Sequence, residues 1–136
     1  MSQDITVEQC EKLFPDWTKY SLTYDMIVDA FGYQNPIWVE DDDFQGDSYA
    51  LLKDGEKRGF LVFGWGSCSG CDWLQGCDTI EDITELYNHL LSEILWKDSA
   101  AEMLEYMNAK DWDVEWYARK PEWKDFLDKA KSYLSQ

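Results

Sequence analysis

Three thiols fall within ten residues of this chain: Cys68 and Cys71, separated by Ser69-Gly70, and then Cys77, preceded by Gly76. A two-residue spacer lets two sulfurs point at one ion from a tight turn, and Gly70 is free to take the left-handed conformation such a turn needs. Backbone N–H groups of the turn stabilise thiolate charge, and a third thiol six residues on reaches the same ion. The chemistry that suits this pattern is a structural zinc site, which takes four tetrahedral ligands and organises the loop that holds it.

The fourth ligand stays open. Cys10 would complete a four-cysteine site, but it lies on an apolar helical face, where an ordinary buried cysteine is equally expected. His89, the single histidine, falls opposite the apolar stripe of its helix and is expected to be exposed. Asp72, Asp78 or water would leave a more open site.

Other chemistry is thin. Phe60-Leu61-Val62-Phe63 ahead of a Cys-x-x-Cys superficially suggests a thioredoxin strand and turn. No βαβ pattern precedes it, however, and no X-Pro strand follows that would face the thiols, so a thiol oxidoreductase is a minor alternative. Asp41-Asp42-Asp43 lacks the glycine and terminal glutamate of a calcium loop. There is no nucleophile elbow, P-loop or second metalloprotease histidine, and the expectation is that the chain is not an enzyme.

Charge is the second strong signal. The 136 residues carry a net charge of −16. Residues 1–52 hold eleven acids and two bases, residues 59–96 hold six acids and no base, and residues 97–136 are nearly balanced. Such a surface is repelled by nucleic acid and by anionic lipid, so direct binding to either is not expected; the acidity serves solubility in the ordinary case, and in the sharper reading it attracts a basic protein surface. Nothing in the N-terminal residues suggests a secretory leader, and no apolar run approaches the length of a membrane span. The expected location is a reducing cytoplasm, where clustered cysteines more often bind metal than form disulfides.

The elements that must position these groups read as a single α+β domain over residues 1–136, with a small antiparallel sheet packed against four or five helices. Val7, Cys10, Leu13 and Phe14 mark a helix ended by Pro15, and Tyr24, Ile27, Val28 and Phe31 mark another closed by Gly32. Asn35-Pro36 is expected to break the chain ahead of a strand at Ile37-Trp38-Val39. The clearest hairpin spans residues 48–66, turning at Asp54-Gly55 and leading straight into the cysteine loop, with one or two further strands completing the sheet. Thr79 with Asp82 forms a capping box for a helix whose stripe is Ile80, Ile83, Tyr87, Leu90, Leu91 and Ile94. Ser99 with Glu102 opens a helix carrying Met103, Leu104 and Met107. The alternation from Trp112 to Tyr117 predicts a strand with one wet face. Pro121 opens a last helix with Trp123, Phe126, Leu127, Ala130 and Leu134 inward.

The run Gly66-Ser67-Cys68-Ser69-Gly70-Cys71-Asp72 at the end of a hairpin, followed by a helix, Ser99-Ala100-Ala101-Glu102-Met103 and Lys110-Asp111-Trp112, resembles a family of small acidic bacteriophage proteins. The similar stretch covers roughly residues 49–117, and it points most to the zinc-containing anti-CRISPR type of streptococcal phages that inhibits Cas9. The resemblance implies Cys68, Cys71 and Cys77 as metal residues and a host-cytoplasmic setting, and it carries over no inhibitory surface. Cas9 holds nucleic acid in positive channels, to which an acidic protein would be steered. The expected contacts are Glu40, Asp41, Asp42, Asp43 and Asp47 of the acidic loop and Glu81, Asp82 and Glu85 of the Thr79 helix. Trp38 and Trp65 are candidate aromatic anchors, although core packing is the commoner role. The competing reading is a phage accessory or structural zinc-binding protein with some other partner.

Overall fold

The structure is a computed structural model that describes residues 4–18, 21–42, 45–66 and 72–136. It is an α+β sandwich of three layers. The four strands β1 (Gln34–Glu40), β2 (Gly46–Asp54), β3 (Lys57–Trp65) and β4 (Leu95–Lys97) form an antiparallel meander in the order β1-β2-β3-β4. One face carries helices α1 (Val7–Leu13), α2 (Tyr24–Ala30) and α3 (Ile80–Ser92), and the other carries α4 (Ala100–Ala109), a short 3-10 turn at Trp112–Val114 and α5 (Pro121–Leu134).

Side-chain alternation divides the sheet between two cores. Trp38, Ala50, Leu52, Leu61 and Phe63 point toward the first helical layer, whereas Ile37, Tyr49, Leu51 and Phe60 point toward the second. Because both faces are covered, Ser48 through Leu52 of β2 are all buried. The second core is built on rings: Trp123 lies 4.7 Å from both Trp112 and Tyr117, and 5.4 Å from Tyr49. Such aromatic pairs add stability beyond the area they bury.

Local signals explain most boundaries. Both capping-box bonds of Thr79 and Asp82 are made, Ser99 accepts from the Glu102 N–H, and Pro121 occupies the start of α5. Thr6 with Gln9 makes a further capping box on α1. Asn88 of α3 ties the chain ahead of α1, donating to the carbonyl of Ile5 and accepting its N–H. The β2–β3 hairpin pairs Asp54 with Lys57 and has a positive φ at Gly55 alone, the pattern of a loop with glycine at its first central position.

Two local expectations differ from what forms. Asn35-Pro36 does not break the chain: β1 runs through it, on an edge strand and at a register irregularity, which is where a residue without an N–H is tolerated. The predicted strand from Trp112 to Tyr117 does not form. Asp111 instead accepts from the Asp113 N–H, Glu115 N–H bonds back to Trp112, and Lys110 pairs with Glu115 at 3.0 Å. These local bonds curl the chain, bury Trp112 and Tyr117, and leave Val114 and Trp116 outside.

Candidate metal centre and acidic face

Cys68 and Cys71 lie outside the described residues, but the chain on either side of them is fixed. Asp72 is buried and acts as a clasp. One carboxylate oxygen accepts from the backbone N–H of Gly66 at 2.8 Å, and the other accepts from the Tyr24 hydroxyl at 2.6 Å and the Gln75 N–H at 3.2 Å. The Gln75 side chain closes the same ring by donating to the Gly66 carbonyl at 2.9 Å. The end of the β2–β3 hairpin and the start of the turn leading to Cys77 are thereby held against each other. Tyr24 fixes the far side, accepting the Leu74 N–H while donating to Asp72, and burial raises its hydroxyl pKa further than the hydrogen bond to Asp72 does.

Cys77 is buried and donates its thiol to the Trp73 carbonyl at 3.2 Å. Burial pushes this thiol up to about 11, and the nearby carboxylates of Asp82, Asp72, Asp78 and Glu85 push in the same direction. A bound cation would reverse the influence of those acids, and capture of a metal there must release the thiol proton. A zinc ion there would take Cys77 as a thiolate, with the acids around it then favouring the cation. Cys10 has a different setting: it is fully buried in the first core, hydrogen-bonds with Thr84, and its thiol is raised chiefly by burial. Ordinary core packing accounts for it. His89 is exposed, as expected, and stacks on Trp73 with ring centroids 4.7 Å apart. Among the described residues no group of three metal-ligating side chains is assembled.

The acidic loop divides in a way its sequence does not reveal. Glu40 and Asp42 are exposed, and Asp43 lies outside the described residues. Asp41 and Asp47, expected as contacts for a partner, are instead turned inward. Both carboxylates meet the Lys120 ammonium at 2.7 Å, while Asp41 also accepts from the Tyr49 hydroxyl at 2.9 Å and the Asp47 N–H at 2.8 Å. Trp116 adds its indole N–H to Asp47 at 3.2 Å. Burial opposes the charge on Lys120, but the hydrogen bonds to Asp41 and Asp47 outweigh it and raise its pKa. This network closes the end of the sheet on α5. Gly46 sits against it so closely that a Cβ there would lie 2.7 Å from Asp41.

On α3, Glu81 and Glu85 are exposed, whereas Asp82 is half-buried and occupied by the cap, where the N–H groups of Asp78 and Thr79 hold its carboxyl below the usual range. The first helical layer as a whole is acidic. Glu8, Glu11, Asp25, Asp29, Asp78, Glu81, Glu85 and Glu93 are exposed on it, and Lys12 is its one base among the described residues. The second layer intersperses Lys97, Lys110, Lys124, Lys129 and Lys131 with its acids. The charge asymmetry along the sequence thus becomes an asymmetry between the two faces of the sandwich.

A cavity of about 490 Å³ opens beside the Asp72 clasp, and Tyr24, Asp25, Glu40, Trp65 and Gln75 contribute to its walls. Trp38 and Trp65 are half-buried against the first core and bonded to Glu40 and Ser48, so they are framework more than free anchors. The exposed tryptophans are Trp73 and Trp116, at 45% and 68% exposure. Neither stood out in sequence, because nothing local distinguishes an exposed tryptophan from a buried one. Comparison of the chain with protein-family models, with curated proteins and with solved structures finds no match.

Proposed function

We propose that this chain acts by binding a basic, nucleic-acid-handling protein through its acidic helical layer, and that the partner is Cas9, whose target DNA loading or cleavage it blocks. The observation that carries the partner class is the segregation of charge: among the described residues one layer presents acids with almost no compensating Lys or Arg, while the opposite layer is mixed. A surface of that kind is steered to Lys- and Arg-lined channels and competes there with a nucleic-acid backbone. Cas9 itself is named on the resemblance of the Gly66 to Asp72 run. Glu81 and Glu85 of α3, with Glu40 at the cavity wall and the exposed Asp42, are the contacts the exposed geometry favours; Asp41 and Asp47 shape the loop.

In this reading Cys68, Cys71 and Cys77 hold a structural zinc ion, whose part is to order the loop that Asp72 clasps. In the same reading the role is that of an inhibitor and not of an enzyme. The test mixes purified protein with Cas9 and its guide RNA and follows both complex formation and cleavage of a matched DNA. Salt-sensitive binding with loss of cleavage is expected. Unchanged cleavage at several-fold excess rejects Cas9 as the target, and capture of other phage components from infected cells would favour the accessory role.

A further inference from the structure

The sheet has one unfinished edge. Strand β4 pairs with β3 only at Arg58, Gly59 and Phe60, so Leu61 to Trp65 have a neighbour in β2 but, among the described residues, none on the other side. Alternate residues of such a stretch direct N–H and C=O groups outward, ready to pair with another strand. The opposite edge is blunted, because β1 carries Pro36 and a register irregularity. The open stretch of β3 instead forms the floor of a groove of about 240 Å³, lined by Val62 and Gly64 along the strand, Trp73, His89 and Glu93 on one side and Trp116 on the other.

We propose that this groove accepts an extended basic segment of a partner protein, which adds to the sheet as a strand beside Leu61–Trp65. Main-chain pairing supplies the binding and the side pockets supply the choice of sequence, as in strand addition generally. Gly64 leaves the floor open, and the exposed rings of Trp73 and Trp116 flank a strand lying there, the residue type that anchors interfaces most often. Charge selects the occupant. Residues 59–96 contain no Lys or Arg, and Glu93 stands on the rim 3.8 Å from the His89 imidazole, so an incoming Lys or Arg meets a carboxylate and tryptophan faces. A second copy of the chain would bring its own net charge of −16 to the same edge and is disfavoured. The inference rests on the sheet edge and does not depend on which protein supplies the strand.

The test uses the full chain, isotope-labelled for NMR, and a synthetic nine-residue peptide alternating Val or Thr with Lys. A second peptide of equal charge has proline at its centre. The expected result is shifted resonances and slowed amide exchange within residues 61–65 on adding the first peptide, with the proline peptide at least about tenfold weaker. Trp73→Ala, an exposed change, weakens the first peptide by about tenfold or more. Equal binding of the two peptides, or shifts that leave residues 61–65 untouched, overturns strand addition. So does protection of all five of these amides in the free protein. A failure of Cas9 inhibition with the peptide result intact would reject the previous reading and leave this one standing.

Discussion

Lys120→Met is the most informative single change in the loop network. It removes the one cation that, among the described residues, is hydrogen-bonded to Asp41 and Asp47, whose side chains are 5% and 4% exposed, and leaves the two carboxylates facing each other. Breaking a fully buried ion pair costs about 3–5 kcal/mol, and because the Lys120 side chain is 35% exposed the figure is discounted to about 2–3 kcal/mol. With a guanidinium slope near about 3 kcal/mol/M, the unfolding midpoint should fall by about 0.7–1 M, read by the fluorescence of the eight tryptophans. Adding Asp47→Asn to Lys120→Met should recover part of the loss at neutral pH. A deficit below about 0.5 kcal/mol would mean that the pair behaves as an ordinary surface bridge. No recovery in the double variant would refute the repulsion outright.

Other outcomes follow from the same geometry. Gly46→Ala should destabilise by about 1–3 kcal/mol, because its Cβ would overlap Asp41, and the loss should be smaller in an Asp41→Ala background; equal losses in both would show the overlap to be harmless. Tyr24→Phe removes the donor to Asp72 and the acceptor of the Leu74 N–H, and should cost about 1–3 kcal/mol in thermal or denaturant unfolding; under the proposed zinc site it should also lower the metal content found by metal analysis. The metal-free protein should lose stability with rising pH. The Cys77 pKa is raised in the fold from 9.0 to about 11, so between these values the folded state holds a proton that the unfolded chain has released. Stability is then full below about 9 and falls as pH rises toward about 11. Cys77→Ser should flatten this decline in denaturant titrations, and an unaltered slope would place the linkage elsewhere.

Much of the scaffold was legible in the sequence because its signals are local. Capping pairs at Thr79 and Ser99, Pro121, and the Asp54-Gly55 turn each fix an element through bonds within a few residues. Hydrophobic periodicity then assigns the buried faces of α3 and α5. The three-layer arrangement was hidden, since a β2 run buried on both sides gives no alternation to show where the second layer lies. Trp112 to Tyr117 misled for the opposite reason: its alternation was real, but capping by Asp111 and the Lys110–Glu115 pair set the backbone.

The surroundings of the candidate site were less legible than the scaffold. Spacing alone singled out Cys68, Cys71 and Cys77. That Asp72 would clasp the loop depends on Tyr24, 48 residues away, and no local pattern announces such a bond. Likewise, Asp41 and Asp47 look identical to Glu40 and Asp42 in composition. Only the approach of Lys120, from the start of α5, separates the carboxylates that build the loop from those left exposed. The open edge of β3 was equally invisible, because it follows from how short β4 is.

The acidic layer is tested most directly by comparing inhibition of Cas9 cleavage by the parent chain with two charge reversals of equal size. One is Glu81→Lys/Glu85→Lys on α3, and the other is Glu105→Lys/Asp128→Lys on the opposite layer; all four positions are exposed. The account predicts that the α3 pair loses potency by about tenfold or more and that the opposite pair retains it. Equal potency of the two variants, or equal loss in both, would contradict a binding face on the first helical layer.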